Sequence, residues 1–126
     1  MHINHIACWT NDLDRLSDFY CRYFDAEIQP LYENPKRNYS SRFLVFPGGS
    51  RLEIMHIPGL KDHMSDPRIG LAHIAFSTGS KEAVDQLTGR LKADGYTLMD
   101  GPRLTGDGYY ESAFLDPDGN RIEITV

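Results

Sequence analysis

Two short segments near the start of the chain recur in its second half, in the same order and at nearly the same spacing. Residues 4–10 read NHIACWT and residues 72–78 read AHIAFST, so His-Ile-Ala returns 68 residues later. Residues 47–54 read PGGSRLEI and residues 117–124 read PDGNRIEI, now 70 residues later. Two repeats in the same order indicate an internal duplication, which restricts the fold to two copies of one small unit.

The duplication divides the chain into two modules. We predict one module at residues 1–57 and another at residues 71–126. The linker between them, at residues 58–70, carries Pro, Gly and mixed charge without a clear period. With 126 residues in all, the chain has the size of a single domain built from the two modules.

Each module begins with a β-rich segment and continues with a helix. In the first module, apolar residues at helical spacing predict a helix over residues 12–24, with Asn11 as its capping residue. In the second module, we predict that Ser80 caps a helix and that Gly95 ends it.

Short strand-like runs follow each helix and are joined by tight turns, Gly-Gly in the first module and Pro-Asp-Gly-Asn in the second. The predicted hairpin strands are, in the first module, residues 41–47 and 51–57 and, in the second, residues 111–116 and 121–126. A stretch at residues 26–32 or at residues 96–100 would add a further strand to its module. This order of elements predicts an α+β fold with a mostly antiparallel sheet and the helices on one face.

Strand alternation predicts one His and one Glu of each module on the face that its helix does not cover. Glu53 stands between two apolar residues and therefore points to the opposite face, and the same alternation separates Glu123 from its neighbours. If a pseudo-twofold axis relates the modules, these two faces meet. A mixture of imidazole and carboxylate groups suits a divalent metal ion. The predicted metal ligands are His5, Glu53, His73 and Glu123.

Taken singly, each of these four side chains has an ordinary explanation. A Glu on an exposed sheet face is usually solvated, and a His in a strand is usually a surface or core residue. The duplicated positions of all four together favour the metal site. The remaining histidines have no partner in the repeat, and we interpret them as structural or surface residues: His2, His56 and His63.

Charge and composition argue against several classes of protein. The formal net charge of −5 argues against a nucleic-acid partner, whose phosphates require clustered Lys and Arg. No stretch approaches the roughly 20 apolar residues that span a membrane, and residues 1–5 do not resemble a secretory signal. Cys8 and Cys21 are too few and too far apart for a disulfide scaffold, so we expect free thiols in a reducing cytoplasm.

These features resemble the vicinal oxygen chelate superfamily, which includes glyoxalase I, the bleomycin-resistance proteins and extradiol dioxygenases. The resemblance covers essentially the whole chain and is most specific in the two His-Ile-Ala segments and in residues 115–123, LDPDGNRIE. It implies the fold of that superfamily, in which two tandem βαβββ modules form a cupped, incomplete sheet around one metal. The His, Glu, His, Glu order of the predicted ligands is similar to that of bacterial glyoxalase I.

The resemblance implies a metal-dependent reaction like that of lactoylglutathione lyase, in which a small 2-oxoaldehyde–thiol adduct is isomerised through an enediolate. The implied cofactor is a divalent ion, with Ni, Co or Zn ahead of Fe or Mn. A carboxylate takes the C–H proton and returns it to the neighbouring carbon. By resemblance this base is Glu123, with Glu53 as its partner. Short chains of the superfamily commonly pair, so we expect a homodimer that binds a small-molecule substrate.

Two positions differ from the glyoxalase I pattern. Bacterial enzymes have a glutathione-binding Arg four residues after the first ligand His and an Asn four residues after the first ligand Glu, but this chain has Trp9 and Ile57 there. Both changes remove polar contacts to an anionic thiol, so the identity of the thiol stays open. Other metalloenzymes of the superfamily are alternatives, namely an epimerase, a dioxygenase or an antibiotic-modifying thiol transferase. A non-catalytic protein that binds a small molecule is a further alternative.

Three weaker candidates accompany the predicted ligands. Residues 105–111, TGDGYYE, form either a loop that covers a pocket or a hairpin loop with two packing tyrosines. Trp9 either lines the pocket beside His5 or belongs to the core. Arg51 and Arg121 share a face with the predicted Glu ligands, and each either orients its Glu or lies on the surface.

Overall fold

The computed structural model describes residues 1–61 and 69–126. The chain divides into two compact units, Met1–Asp62 and His63–Val126. Residues 62–68 of the predicted linker, His63 among them, lie outside the described residues. The predicted module boundaries therefore stay a prediction. Among the helices of the described ranges, none is long and apolar enough to cross a membrane.

The first unit holds one helix and a mixed sheet. Its elements are β1 (Ile6–Trp9), α1 (Leu13–Phe24), β2 (Glu27–Ile28), β3 (Tyr32–Asn34), β4 (Tyr39–Val45) and β5 (Arg51–His56). The strand order is β1-β5-β4-β2, and β3 also pairs with β4. Strands β1 and β5 run parallel, whereas β4 pairs antiparallel with β2, β3 and β5. The predicted extra strand at residues 26–32 is replaced by the two short strands β2 and β3.

The second unit has the same order of elements as the first, with one strand fewer. Its elements are β6 (Ile74–Ser77), α2 (Lys81–Ala93), β7 (Leu98–Leu104), β8 (Tyr110–Leu115) and β9 (Arg121–Thr125). The strand order is β6-β9-β8-β7, with β6 parallel to β9 and the other pairs antiparallel. The α+β class and the mostly antiparallel pairing are confirmed, and the second unit has the predicted βαβββ order.

Helix α1 begins one residue later than the sequence pattern indicated. Asp12 is its N-cap, because the Asp12 Oδ1 atom accepts a hydrogen bond from the backbone N–H of Arg15 at 2.9 Å. The backbone N–H of Asp12 in turn donates to Thr10 Oγ1 at 3.0 Å, which holds Asp12 in an extended conformation. The prediction that Asn11 caps this helix was wrong, because the Thr10 hydroxyl fixes the backbone one residue further on.

Helix α2 has the predicted ends. The Ser80 side chain accepts from the backbone N–H of Ala83 at 3.1 Å, as an N-cap should. Asp94 is the C-cap, and Gly95 follows it with a φ of 88°, a left-handed conformation that glycine adopts without steric cost.

In each unit the helix buries its apolar face against the sheet. In the first unit, Leu16 and Tyr20 of α1 are buried, as are Leu44, Leu52 and Ile54 of the sheet. In the second unit, the fully buried apolar side chains of α2 and the sheet are Val84, Leu91, Phe114, Ile122 and Ile124. Each such side chain contributes about 1.5–3 kcal/mol of hydrophobic stabilisation. The sheet residues between these positions point to the other face, and Glu53 and Glu123 are among them.

Candidate functional site

Parallel pairing of β1 with β5 brings the first predicted His and Glu together. Ala7 lies opposite Glu53 in the register, and His5 stands two residues before Ala7, on the same face. The His5 Nε2 atom lies 3.5 Å from Glu53 Oε2. Glu53 is mostly covered, with 17% of its side chain exposed.

The second unit forms the same arrangement from β6 and β9. Ala75 lies opposite Glu123, and His73 stands two residues before Ala75. The His73 Nε2 atom lies 3.1 Å from Glu123 Oε2. Glu123 is a buried charged residue, with 8% of its surface exposed. Each unit therefore presents one His–Glu pair built in the same way.

Neighbouring side chains orient His5. Its Nδ1 atom lies 2.9 Å from Asn4 Oδ1, and Arg51 also donates to that oxygen from Nη2. Because an amide oxygen only accepts, His5 carries its proton on Nδ1 when it makes this bond, which leaves the Nε2 lone pair directed at Glu53. The Phe43 ring meets the His5 ring edge to face at 5.1 Å between centroids. The tautomer with its proton on Nδ1 is the one that a metal-binding Nε2 atom requires.

A tyrosine hydroxyl contacts the Glu53 carboxylate. The Tyr39 hydroxyl donates to Glu53 Oε1 at 3.0 Å, so the two carboxylate oxygens have different partners. Burial is the largest cause that raises the pKa of Tyr39, and the hydrogen bond to Glu53 adds to it against an opposing hydrogen bond with Ser41. A raised pKa keeps the hydroxyl protonated at neutral pH, so Tyr39 is a neutral donor.

An arginine contacts the Glu123 carboxylate. Arg121 donates from Nη2 to Glu123 Oε1 at 3.2 Å. Arg51 stands at the same place in the repeat but donates to Asn4, and its guanidinium lies over the Phe43 ring at 5.0 Å. Of the two interpretations of these arginines, orientation of the predicted Glu ligand therefore fits Arg121.

The donor atoms of each pair suit a shared divalent ion. Metal–N and metal–O bonds of about 2.0–2.2 Å separate neighbouring ligand atoms by roughly 3.0–3.5 Å, and the two His–Glu distances, 3.5 and 3.1 Å, lie in that range. Within the described parts of the chain, no group of three or more His, Cys, Asp or Glu side chains is positioned to hold a metal ion. Each pair lies within its own unit, and the joint role of the four side chains as metal ligands stays a prediction.

The remaining candidate residues have simpler roles in the structure. Trp9 is 48% exposed, so of its two interpretations the core position does not fit. The His56 Nδ1 atom lies 2.9 Å from the Thr10 carbonyl oxygen, which supports its structural interpretation. Neither of the two cysteines, Cys8 and Cys21, forms a disulfide bond.

The segment at residues 105–111 forms a hairpin loop between β7 and β8. The backbone N–H of Thr105 donates to the Tyr109 carbonyl at 2.7 Å, which closes the loop. The Tyr110 hydroxyl donates to Asp85 Oδ1 of α2 at 2.7 Å, whereas Tyr109 is 55% exposed. One of the two tyrosines therefore packs against the unit, and the hairpin interpretation fits the loop better than a cover over a pocket.

Sequence reasoning did not single out three residues that contact the predicted ligands. Asn4 and Phe43 contact His5, and Tyr39 contacts Glu53. The hairpin sequence could have identified Phe43, because counting back from the Gly-Gly turn places it opposite Glu53. Tyr39 lies four residues before Phe43 and so shares that face.

Comparison with known sequences gives a match along nearly the whole chain. The family model of the Glyoxalase/Bleomycin resistance protein/Dioxygenase superfamily matches residues 2–124. The uncharacterized protein YqjT of Bacillus subtilis is 39% identical over 72 residues, which are 55% of this chain and 56% of that protein. The match thus spans little more than half the length of this curated relative.

Solved structures from several organisms share the fold. A glyoxylase/bleomycin resistance protein/dioxygenase domain from Frankia sp. EAN1pec superposes with a TM-score of 0.85 at 24% identity, covering 100% of this chain and 97% of that one. Glyoxalase I of Leishmania major gives 0.81 at 21% identity, with 99% and 86% covered. The fosfomycin resistance protein FosX of Listeria monocytogenes gives 0.74 at 25% identity, with 99% and 90% covered.

Proposed function

We propose that this chain, which belongs to the Glyoxalase/Bleomycin resistance protein/Dioxygenase superfamily, is a metal-dependent, glyoxalase I-like lyase or isomerase of a small 2-oxoaldehyde–thiol adduct. The observation that carries the proposal is the presence of one His–Glu pair in each unit, at repeated positions and with Nε2–Oε2 distances of 3.5 and 3.1 Å. The ordinary explanation of a single solvated Glu or surface His does not account for two pairs with mostly covered carboxylates at repeated positions.

The residues that would hold a divalent ion, Ni, Co or Zn first, are those of the two pairs: His5, Glu53, His73 and Glu123. Two neutral imidazoles and two carboxylates form an uncharged set with such an ion, which suits a partly buried site. When bound, the ion would act as a Lewis acid next to the substrate carbonyl. The hydrogen bond from His5 Nδ1 to Asn4 supports this assignment, because it leaves Nε2 free to coordinate.

Proton transfer falls to the carboxylates. We assign Glu123 as the group that takes the C–H proton and returns it to the neighbouring carbon, first as base and then as acid. Arg121 donates a hydrogen bond to its Oε1 atom, and its Oε2 atom faces His73. Glu53, which belongs to the His–Glu pair of the first unit, is its proposed partner.

The thiol is proposed to be less anionic than glutathione. Trp9 and Ile57 stand where the glyoxalase I pattern has an Arg and an Asn, and both are at least partly exposed. Neither side chain forms charge-assisted hydrogen bonds with a carboxylate. We further propose that the protein is a homodimer that binds this small-molecule substrate.

A second candidate function is modification of an antibiotic of the fosfomycin type. The observation that favours it is the likeness to the fosfomycin resistance protein FosX, at 25% identity over 99% of this chain.

The decisive experiment is metal reconstitution followed by assays with several thiols. The metal-free protein, reloaded with Ni, Co or Zn, is expected to convert methylglyoxal–thiol adducts to thioesters, with glutathione a poor thiol. Glu53→Gln and Glu123→Gln are each expected to lower kcat by about 10²-fold or more, and Arg121→Gln by about 10- to 100-fold.

The matched control is Glu33→Gln, which changes an exposed carboxylate on β3 and is expected to leave kcat unchanged. If the metal-loaded protein shows no turnover with any thiol, the glyoxalase proposal is wrong. Consumption of fosfomycin by the same metal-loaded protein would favour the second candidate. Tight binding of a ligand without turnover would favour a non-catalytic role.

A further inference from the structure

The two predicted Glu ligands share one pattern that the repeat alone does not explain. In both units, the Oε2 atom faces the Nε2 atom of the paired His, while the Oε1 atom accepts a hydrogen bond from a side chain of the same unit. The donors are Tyr39 to Glu53 and Arg121 to Glu123.

These two donors come from different positions in the repeat. The residue that corresponds to Tyr39 is Tyr109, 70 positions later, and its side chain is 55% exposed. The residue that corresponds to Arg121 is Arg51, which donates to Asn4. The same carboxylate arrangement has thus been built twice with different side chains, which indicates a functional requirement and not inherited packing.

We propose that Tyr39 is a positioning residue for Glu53: its hydroxyl fixes the carboxylate so that one oxygen stays directed at the metal position beside His5. This inference rests on the proposed function. A carboxylate on a flexible side chain loses rotational freedom when it binds an ion, and a hydrogen bond made beforehand reduces that loss.

The surroundings of Tyr39 suit this role. The residue lies at the start of β4, and the sheet fixes its backbone. Its ring packs against the ring of Tyr32 at 6.1 Å between centroids, which limits rotation of the side chain. The Tyr39 side chain is therefore held in place while its hydroxyl donates to Glu53 at 3.0 Å.

The test compares Tyr39→Phe with Tyr109→Phe, which removes the hydroxyl at the equivalent position of the second unit. Affinity for Co²⁺ is measured by competition with a chelator, and the visible absorption of bound Co²⁺ reports its ligands. Tyr39→Phe is expected to weaken Co²⁺ binding by about 10- to 100-fold and to change the absorption spectrum. Tyr109→Phe is expected to leave both as in the wild type.

Two further variants separate the possible failures. If Glu53→Gln binds Co²⁺ as tightly as the wild type, or the wild type binds none, the proposed metal function is wrong and this inference fails with it. If Glu53→Gln weakens binding but Tyr39→Phe matches Tyr109→Phe, only the positioning role is wrong. Tyr39→4-aminophenylalanine keeps a ring donor of similar reach and is expected to restore affinity. A loss of affinity in this variant, with the fold intact by circular dichroism, would also overturn the role, even if Tyr39→Phe does not fold.

Discussion

Hydrogen bonds between surface side chains shift the pKa values of titratable groups in both directions. Arg103 donates from Nε to Asp100 Oδ2 at 2.8 Å, and this bond is the main cause that lowers the pKa of Asp100. Tyr110 donates to Asp85 Oδ1, and this bond is the main cause that raises the pKa of Tyr110. Solvent screens both exposed pairs, so each contributes little to stability.

The bond between Tyr110 and Asp85 predicts a pH-dependent contribution to stability at alkaline pH. Because the folded pKa of Tyr110 is raised, the contribution is fully present below the unfolded pKa of about 10 and is lost as pH rises through the folded pKa. The melting temperature of the wild type is expected to exceed that of Tyr110→Phe up to about pH 9, with the difference shrinking above pH 10.

Thermal unfolding followed by circular dichroism from neutral to strongly alkaline pH measures this difference. Tyr109→Phe serves as the control, since it removes the hydroxyl of the neighbouring exposed tyrosine. A difference between wild type and Tyr110→Phe that stays constant across the whole pH series would contradict the prediction.

At the scale of elements, the pairing of β7 with β8 is irregular. The register shifts between Leu98 and Asp100 and again between Asp100 and Arg103. Gly101 lies within this stretch with a φ of +82°. A Cβ atom at this position would approach the backbone oxygen of Glu111 to 2.4 Å, well inside van der Waals contact. The close approach of the two strands therefore requires a glycine here.

Replacing this glycine is expected to destabilise the second unit. Gly101→Ala combines an unfavourable backbone conformation with a backbone clash, so it should lower the free energy of unfolding by about 1–3 kcal/mol. Urea denaturation measures the change. The control is Gly106→Ala in the adjoining hairpin loop, where a Cβ would meet nothing within 4 Å. Equal free energies of unfolding for the two variants would show that the strands separate at little cost.

At the scale of the whole molecule, the chain carries the same chemical pair twice. The pair of the first unit is His5 and Glu53, and that of the second is His73 and Glu123. A metal ion bound by two such ligands alone would leave most of its coordination sites to water. Under the proposed function all four side chains are ligands of one ion.

This expectation predicts the metal content of the protein. Reconstituted protein should contain one ion per chain. The variants His5→Gln and His73→Gln should each have a much lower metal content per chain. Binding should also raise the free energy of unfolding, by about 2.7 kcal/mol at a free metal concentration 100 times the Kd. Elemental analysis and thermal unfolding with and without chelator measure both effects, with His2→Gln as the control. Two ions per chain, or full occupancy in either variant, would mean that the pairs act separately.

Local spacing in the sequence was enough to predict several features of the fold. The repeats at residues 4–10 and 72–78 indicated two similar units. The spacing of apolar residues predicted both helices, and strand-like runs joined by turn residues predicted the hairpins. Alternation predicted that Glu53 and Glu123 lie on the face opposite the core, because successive strand residues point to opposite faces whatever the strand pairs with.

Contacts between distant side chains could not be predicted from the sequence and depend on the folded chain. Arg51 and Asn4 stand 47 positions apart, and Tyr39 and Glu53 stand 14 apart, so their contacts depend on strand register and side-chain rotamers that no local pattern encodes. For the same reason the sequence left two interpretations open for Arg51 and Arg121, and of these two residues Arg121 contacts its Glu. Local periodicity sets the face of a side chain, but the partner on that face is chosen by packing between distant segments.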